Sequence, residues 1–175
     1  MKTMTLIILL LAAVPALAYE IGDTIEDFTL PDVEGVDQAF SDLRGEIVVM
    51  NFFATWCPGC NEEADSLEHD IWQTYRDRGV RVVAVDVQEQ AVFVDGWRQA
   101  MGVTYDIWMA PDWTLFGVFT MTGALPYNTV IDTEGVLRYA QTGYTLSAIV
   151  DTIEQLLEPT AAEVGSWGDV KNLYR

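Results

Sequence analysis

Cysteine, histidine and lysine are all scarce in this chain: two, one and two among 175 residues. A tetrahedral zinc site needs four ligands, so Cys57, Cys60 and His69 fall short of one, and no metal is expected. With so little lysine, 27 acidic side chains face 9 basic ones, and the net charge is −18. Such a surface is repelled by nucleic acid and by anionic membranes, which disfavours both as partners. It is compatible with a basic protein substrate, although solubility or salt adaptation is the favoured account of the charge. The chain also lacks internal repeats and low-complexity segments. It has no apolar run near the roughly 20 residues that span a bilayer.

The apolar run at the start, Leu6 to Val14, is short. With Lys2 before it, Pro15 after it and the small-x-small Ala16-Leu17-Ala18, it reads as a secretory leader over residues 1–18. An uncleaved anchor is the other reading of the same run. No cysteine follows it, so a lipid-anchored start is not indicated. Removing the leader leaves one domain at residues 19–158 and a loosely held tail at 159–175. Export places the chain in the periplasm or another extracytoplasmic, oxidising compartment, where a reducing dithiol needs an electron source.

Both cysteines lie in Trp56-Cys57-Pro58-Gly59-Cys60, directly after the apolar run Ile47 to Phe53. This puts the pair where a buried strand turns into a helix. Free N–H groups and the positive end of the macrodipole stabilise a thiolate there. The first cysteine becomes a nucleophile at neutral pH, and the second is near enough to resolve a mixed disulfide. A purely structural disulfide is the competing reading, but closing so short a loop stabilises little.

Along the chain, Asp32-Val33-Glu34-Gly35 predicts a turn before a short strand near Asp37 to Phe40, and Ser41 to Gly45 a second turn. Ile47 to Phe53 and Val80 to Val87 are apolar enough to be central strands. Pro58 suits a first helical turn, and that helix is expected to run to about Arg78 and stop at Gly79. Its early acids Glu62, Glu63 and Asp65 suit the dipole. A helix over Val92 to Met101, a strand over Tyr105 to Met109 and a short helix over Trp113 to Phe119 follow. Tyr127 to Ile131, the turn Asp132 to Gly135 and Val136 to Gln141 form a hairpin, and Leu146 to Glu158 an amphipathic helix. The alternation predicts an α/β sheet with helices on both faces. The segment Trp108 to Met121, rich in Trp, Phe and Met, either packs on the sheet or walls a substrate groove, and packing is the expectation.

Asp27-Phe28-Thr29-Leu30, the stretch Val49 to Cys60 and Gly123-Ala124-Leu125-Pro126 with Val130 to Gly135 after it resemble the thioredoxin superfamily. Within it, the chain is similar to the exported TlpA/ResA/DsbE-like thiol–disulfide oxidoreductases, whose domain is of the AhpC/TSA-redoxin type. The likeness covers roughly Ile21 to Glu158. It implies a thioredoxin-like fold, a central mixed sheet with helices on both faces and an N-terminal hairpin extension. Pro126 would be the cis-proline facing the dithiol, with trans as its ordinary state elsewhere. Leu125 would offer its backbone to an extended substrate peptide. Trp56 and Pro58 would contact that substrate, although Trp56 is equally readable as an aromatic packed at the strand end.

Glu63, three residues after Cys60, matches an acid the exported group keeps by its active site. Partly buried, it could shuttle a proton to Cys60; Glu62 is its rival, and a plain dipole role the other reading. Asn51 departs from thioredoxin's own buried acid six residues before the first cysteine, which moves that duty to Glu63. His69, between Glu68 and Asp70, is expected to be solvated. The resemblance further implies a monomer with no cofactor beyond a redox-active Cys57–Cys60 disulfide. It implies disulfide or dithiol protein substrates, a membrane electron donor, and a reductant acting on haem-attachment cysteines of apocytochrome c.

Other readings sit beside this one. A peroxiredoxin-type peroxidase shares the fold, but it uses Thr or Ser where Ala54 stands. A metallochaperone wants a histidine beyond the helix, and none follows His69. A non-catalytic binding protein would not need the dithiol.

Overall fold

The computed structural model describes residues 18–120 and 122–158. Its centre is strand β3, Ile47–Phe53, in which every residue is buried. Six of its seven residues are apolar because both of its faces are covered, Asn51 being the exception. Strands β4 (Val80–Val87) and β5 (Asp106–Ala110) continue the sheet on one side in parallel, linked by helix α3 (Ala91–Met101). Strands β6 (Tyr127–Ile131) and β7 (Leu137–Thr142) continue it on the other side, antiparallel. The order is β5-β4-β3-β6-β7, a mixed sheet as the sequence implied.

Alternation along β3 sends neighbouring side chains to opposite faces. Asn51 and Phe53 face helix α1 (Pro58–Ser66) and α3: Asn51 bonds Glu63, and Phe53 packs on Trp97 at 4.7 Å between ring centroids. Phe52 faces the other way onto α4 (Thr114–Phe119), against Phe116 at 5.2 Å and Phe119 at 4.9 Å. Helices therefore cover both faces. Helix α5 (Leu146–Leu157) closes the domain on β6 and β7, with Ile149 and Ile153 buried. In the segment from Trp108 to Phe119, Trp108, Phe116 and Phe119 pack in the core as expected, whereas Trp113 is exposed. Met121 lies outside the described residues.

A small hairpin, β1 (Thr29–Pro31) and β2 (Asp37–Ala39), precedes the sheet. Its turn is tied by Asp32, whose Oδ1 accepts the N–H groups of Glu34 at 3.0 Å and Val36 at 2.9 Å. Phe28 stacks on Phe40 and meets Trp108 edge-on, which seats the hairpin against β5.

One element differs from its expectation. The helix begun at Pro58 ends at Gly79, whose φ of +81° stops it as predicted, but it is not a single α-helix. After Ser66 it opens into a π-helical turn, Leu67–Trp72, followed by α2 (Gln73–Tyr75) and a 3₁₀ turn, Arg76–Arg78. The wide turn carries Glu68 into the interior, where its carboxylate accepts the Thr104 N–H at 2.7 Å, the Thr104 hydroxyl at 2.7 Å and Gln73 Nε2 at 2.6 Å. The sequence alone shows Glu68 only as an acidic neighbour of His69. Residues 1–17 of the expected leader and the tail 159–175 lie outside the described residues. No helix among the described residues is long and apolar enough to cross a membrane.

Candidate active site

Strand β3 ends at Phe53, and the turn that follows, closed by Cys57 N–H donating to Ala54 O at 3.1 Å, delivers Cys57 to the start of α1. Cys57 and Cys60 form a disulfide with 5.3 Å between their Cα atoms. They are 4% and 2% exposed. Cys57 is the N-cap of α1, and its Sγ accepts the Cys60 N–H at 3.2 Å. An orphan amide of the helix thus points at the first sulfur, the arrangement that stabilises a thiolate there. Pro58 fills the first helical position, where its missing N–H is harmless, and is exposed.

One helical turn beyond Cys60, Glu63 points into the protein and is 3% exposed. Asn51 of β3 and Asn128 of β6 are register partners, so their side chains stand together beneath it. Asn51 Nδ2 donates to Glu63 Oε1 at 2.6 Å and Asn128 Nδ2 to Oε2 at 3.1 Å. Burial raises the carboxyl against these two lowering hydrogen bonds, to about 7. Glu63 therefore does not sit on the helix surface serving the dipole. Its rival Glu62 is the exposed one of the two.

The Leu125–Pro126 bond is cis and Pro126 is buried, with Leu125 half-buried beside it. Pro126 lies against α1 so closely that a Cβ on Gly59 would come within 3.2 Å of its Cδ. Gly59, Glu62, Glu63, Pro126, Gly143 and Tyr144 line a cleft of ≈280 Å³, which joins the buried carboxyl to the surface next to the dithiol. Trp56 stands out beside the disulfide at 63% exposed, so it is not packed at the strand end. His69 is solvated as expected, 3.5 Å from Asp65.

The residues named from the sequence thus fall into one place, while several others at that place were not foreseen. Asn128 had one available signal, a polar residue inside the apolar run Tyr127 to Ile131. Tyr144, whose hydroxyl donates to Ser66 Oγ at 2.8 Å, and Glu89, bound to Thr55 at 2.6 Å, gave none.

A disulfide at a helix N-terminus, beside a cis-proline on a mixed sheet with helices on both faces, defines a thioredoxin-like thiol–disulfide oxidoreductase. Residues 21–140 match the AhpC/TSA family, and the chain belongs to that family. It is similar to "Thiol-disulfide oxidoreductase ResA" of Geobacillus kaustophilus, 31% identical over 126 residues, 72% of this chain and 71% of that one. The ResA of Bacillus subtilis is 27% identical over 138 residues, 79% and 76% of the two chains. Among solved structures, a thiol:disulfide interchange protein of the thioredoxin family from Chlorobium tepidum aligns with TM-score 0.68 and 26% identity. That alignment covers 80% of this chain and 99% of the other. StoA from Bacillus subtilis shares the fold, with TM-score 0.61, 17% identity and coverage of 73% and 96%.

Proposed function

We propose that this enzyme is an extracytoplasmic protein-disulfide reductase, working through Cys57, Cys60 and Glu63. The observation that carries the reading is the buried Glu63 carboxyl, raised to about 7 and one helical turn from the resolving cysteine. In the reduced enzyme, the Cys57 thiolate attacks a substrate disulfide. A Cys57–substrate bond forms, and one substrate sulfur leaves and takes up a proton. Glu63 then accepts the Cys60 proton, and Cys60 attacks Cys57 Sγ. The intramolecular disulfide forms, the second substrate thiol is released, and two electrons have passed to the substrate. A dithiol donor at the membrane restores the reduced enzyme.

The electrostatics favour the reducing direction. A strongly oxidising dithiol owes its potential to a reduced form stabilised as thiolate. Here one helix amide favours the Cys57 thiolate, while a buried carboxyl beside Cys60 and a net charge of −18 oppose negative charge on sulfur. The exposed Trp56 and Pro58 and the backbone of Leu125 and Pro126 form the surface for an extended, cysteine-bearing peptide. Haem-attachment cysteines of apocytochrome c are the proposed substrate, and a monomer the proposed state.

Replacement of the resolving cysteine tests the scheme. Cys60→Ser should accumulate a mixed disulfide with a disulfide-bearing model peptide, seen by mass spectrometry, and Cys57→Ser should not. A Cys60→Ser protein that forms no adduct, or forms it without Cys57, contradicts the mechanism.

A further inference from the structure

The loop that carries Cys57 is held by a second pair of acids, which the exchange chemistry does not use. Glu89 follows β4 and reaches Thr55, two residues before Cys57. Its Oε2 accepts the Thr55 N–H at 2.6 Å and its Oε1 the Thr55 hydroxyl at 2.7 Å. Gln88, just before it, has φ +76°, the positive φ among non-glycine residues described here. Such a backbone costs about 1–3 kcal/mol and persists where its surroundings impose it. Asp86, near the end of β4, is fully buried, and its Oδ1 accepts the Glu89 N–H at 2.8 Å.

The other oxygen, Asp86 Oδ2, is buried with no donor in reach. Asp86 already holds the Glu89 backbone N–H, and the Glu89 carboxyl is the side chain that acts on it. Two carboxylates are both acceptors, so the contact holds only when one of them carries a proton. Burial, and then Glu89, push Asp86 up to about 8, so the proton is present at neutral pH. Beside Asp86 in the sheet stand Phe53 of β3 and Met109 of β5, and Trp97 of α3 packs on Phe53. None of these carries charge; Glu89 is the charged group that acts on Asp86.

We propose that Glu89 is a positioning residue for disulfide exchange, clamping Thr55 and so the approach of Trp56 and Cys57, and that Asp86 keeps the clamp closed by donating its proton to Glu89. Loss of that proton sets two like charges against each other in a buried contact, and the clamp loosens. The exchange half of the proposal rests on Cys57 being the nucleophile; the clamp itself does not.

The test separates the two. In the oxidised protein, the Thr55 amide resonance is followed by ¹⁵N NMR from about pH 6 to about pH 10, a readout that needs no activity. In the wild type it should titrate with a midpoint near 8. In Asp86→Asn, whose amide donates to Glu89 at every pH, it should stay at its neutral-pH position. A Thr55 resonance that does not move in the wild type, or that titrates alike in Asp86→Asn, overturns the shared proton. For the reduced protein, Glu89→Ala should slow reaction with glutathione disulfide at pH 7 by roughly 10-fold or more. Glu89→Gln, which keeps an acceptor for the Thr55 N–H, should recover most of the rate and covers the case in which the alanine variant does not fold. Wild-type rates in both Glu89 variants overturn the positioning role.

Discussion

At the scale of single residues, the site is governed by what surrounds Glu63. Its carboxyl is raised from 4.5 to about 7, first by burial and against the hydrogen bonds of Asn128 and Asn51. The folded protein therefore holds a proton on Glu63 at pH values where the unfolded chain has lost it. Its contribution to stability is full below pH 4.5 and is lost as pH rises through about 7. The shift corresponds to about 3 kcal/mol. Glu63→Gln does not titrate, so the difference in unfolding free energy between variant and wild type should grow by about that amount from pH 4.5 to pH 8 in denaturant titrations. Parallel curves would contradict the raised carboxyl. The same variant should lose the rise in exchange rate that the wild type shows as Glu63 ionises through about 7. Cys57 and Cys60 were legible from their own spacing, whereas Glu63 was legible only through the family resemblance, with Glu62 as its rival. Asn128 was not legible as a partner, because its meeting with Asn51 depends on β3 and β6 pairing across 77 residues of sequence.

At the scale of elements, the strands were legible because burial on both faces writes itself as mostly apolar runs, as in Ile47 to Phe53 and Val80 to Val87, broken only by Asn51, Arg81 and Asp86. The helix after the dithiol was only half legible. Its start is marked by Pro58 and its end by Gly79, but the π-helical turn between them answers to Thr104, 36 residues away from Glu68. No local pattern announces such a partner. Burial raises the Glu68 carboxyl, but hydrogen bonds from Thr104, Gln73 and Tyr105 outweigh it and hold the group below its ordinary value. Its stabilisation is therefore present above 4.5 and lost as pH falls through the lowered value. Glu68→Ala removes the acceptor of the Thr104 N–H and hydroxyl and should cost about 1–2 kcal/mol at neutral pH, narrowing in acid, by chemical denaturation. A variant as stable as the wild type at neutral pH would show that the turn is held by something else.

At the scale of the whole molecule, the fold class was readable because the dithiol, the Leu125-Pro126 stretch and the order of elements agree with one another. Folding brings the cis-proline to Gly59 and the paired asparagines to Glu63, so one cleft is lined by Gly59, Glu63 and Pro126 together. The direction of electron flow belongs to this scale too, since it depends on the summed charge around the sulfurs. The reduction potential of the domain over residues 19–158, equilibrated in dithiothreitol buffers and followed by Trp fluorescence, tests it most directly. One reversible two-electron transition near or below about −250 mV is expected. A value near about −120 mV would make the enzyme an oxidant and contradict the proposed direction, and the absence of any two-electron transition would contradict redox exchange at Cys57 and Cys60 altogether.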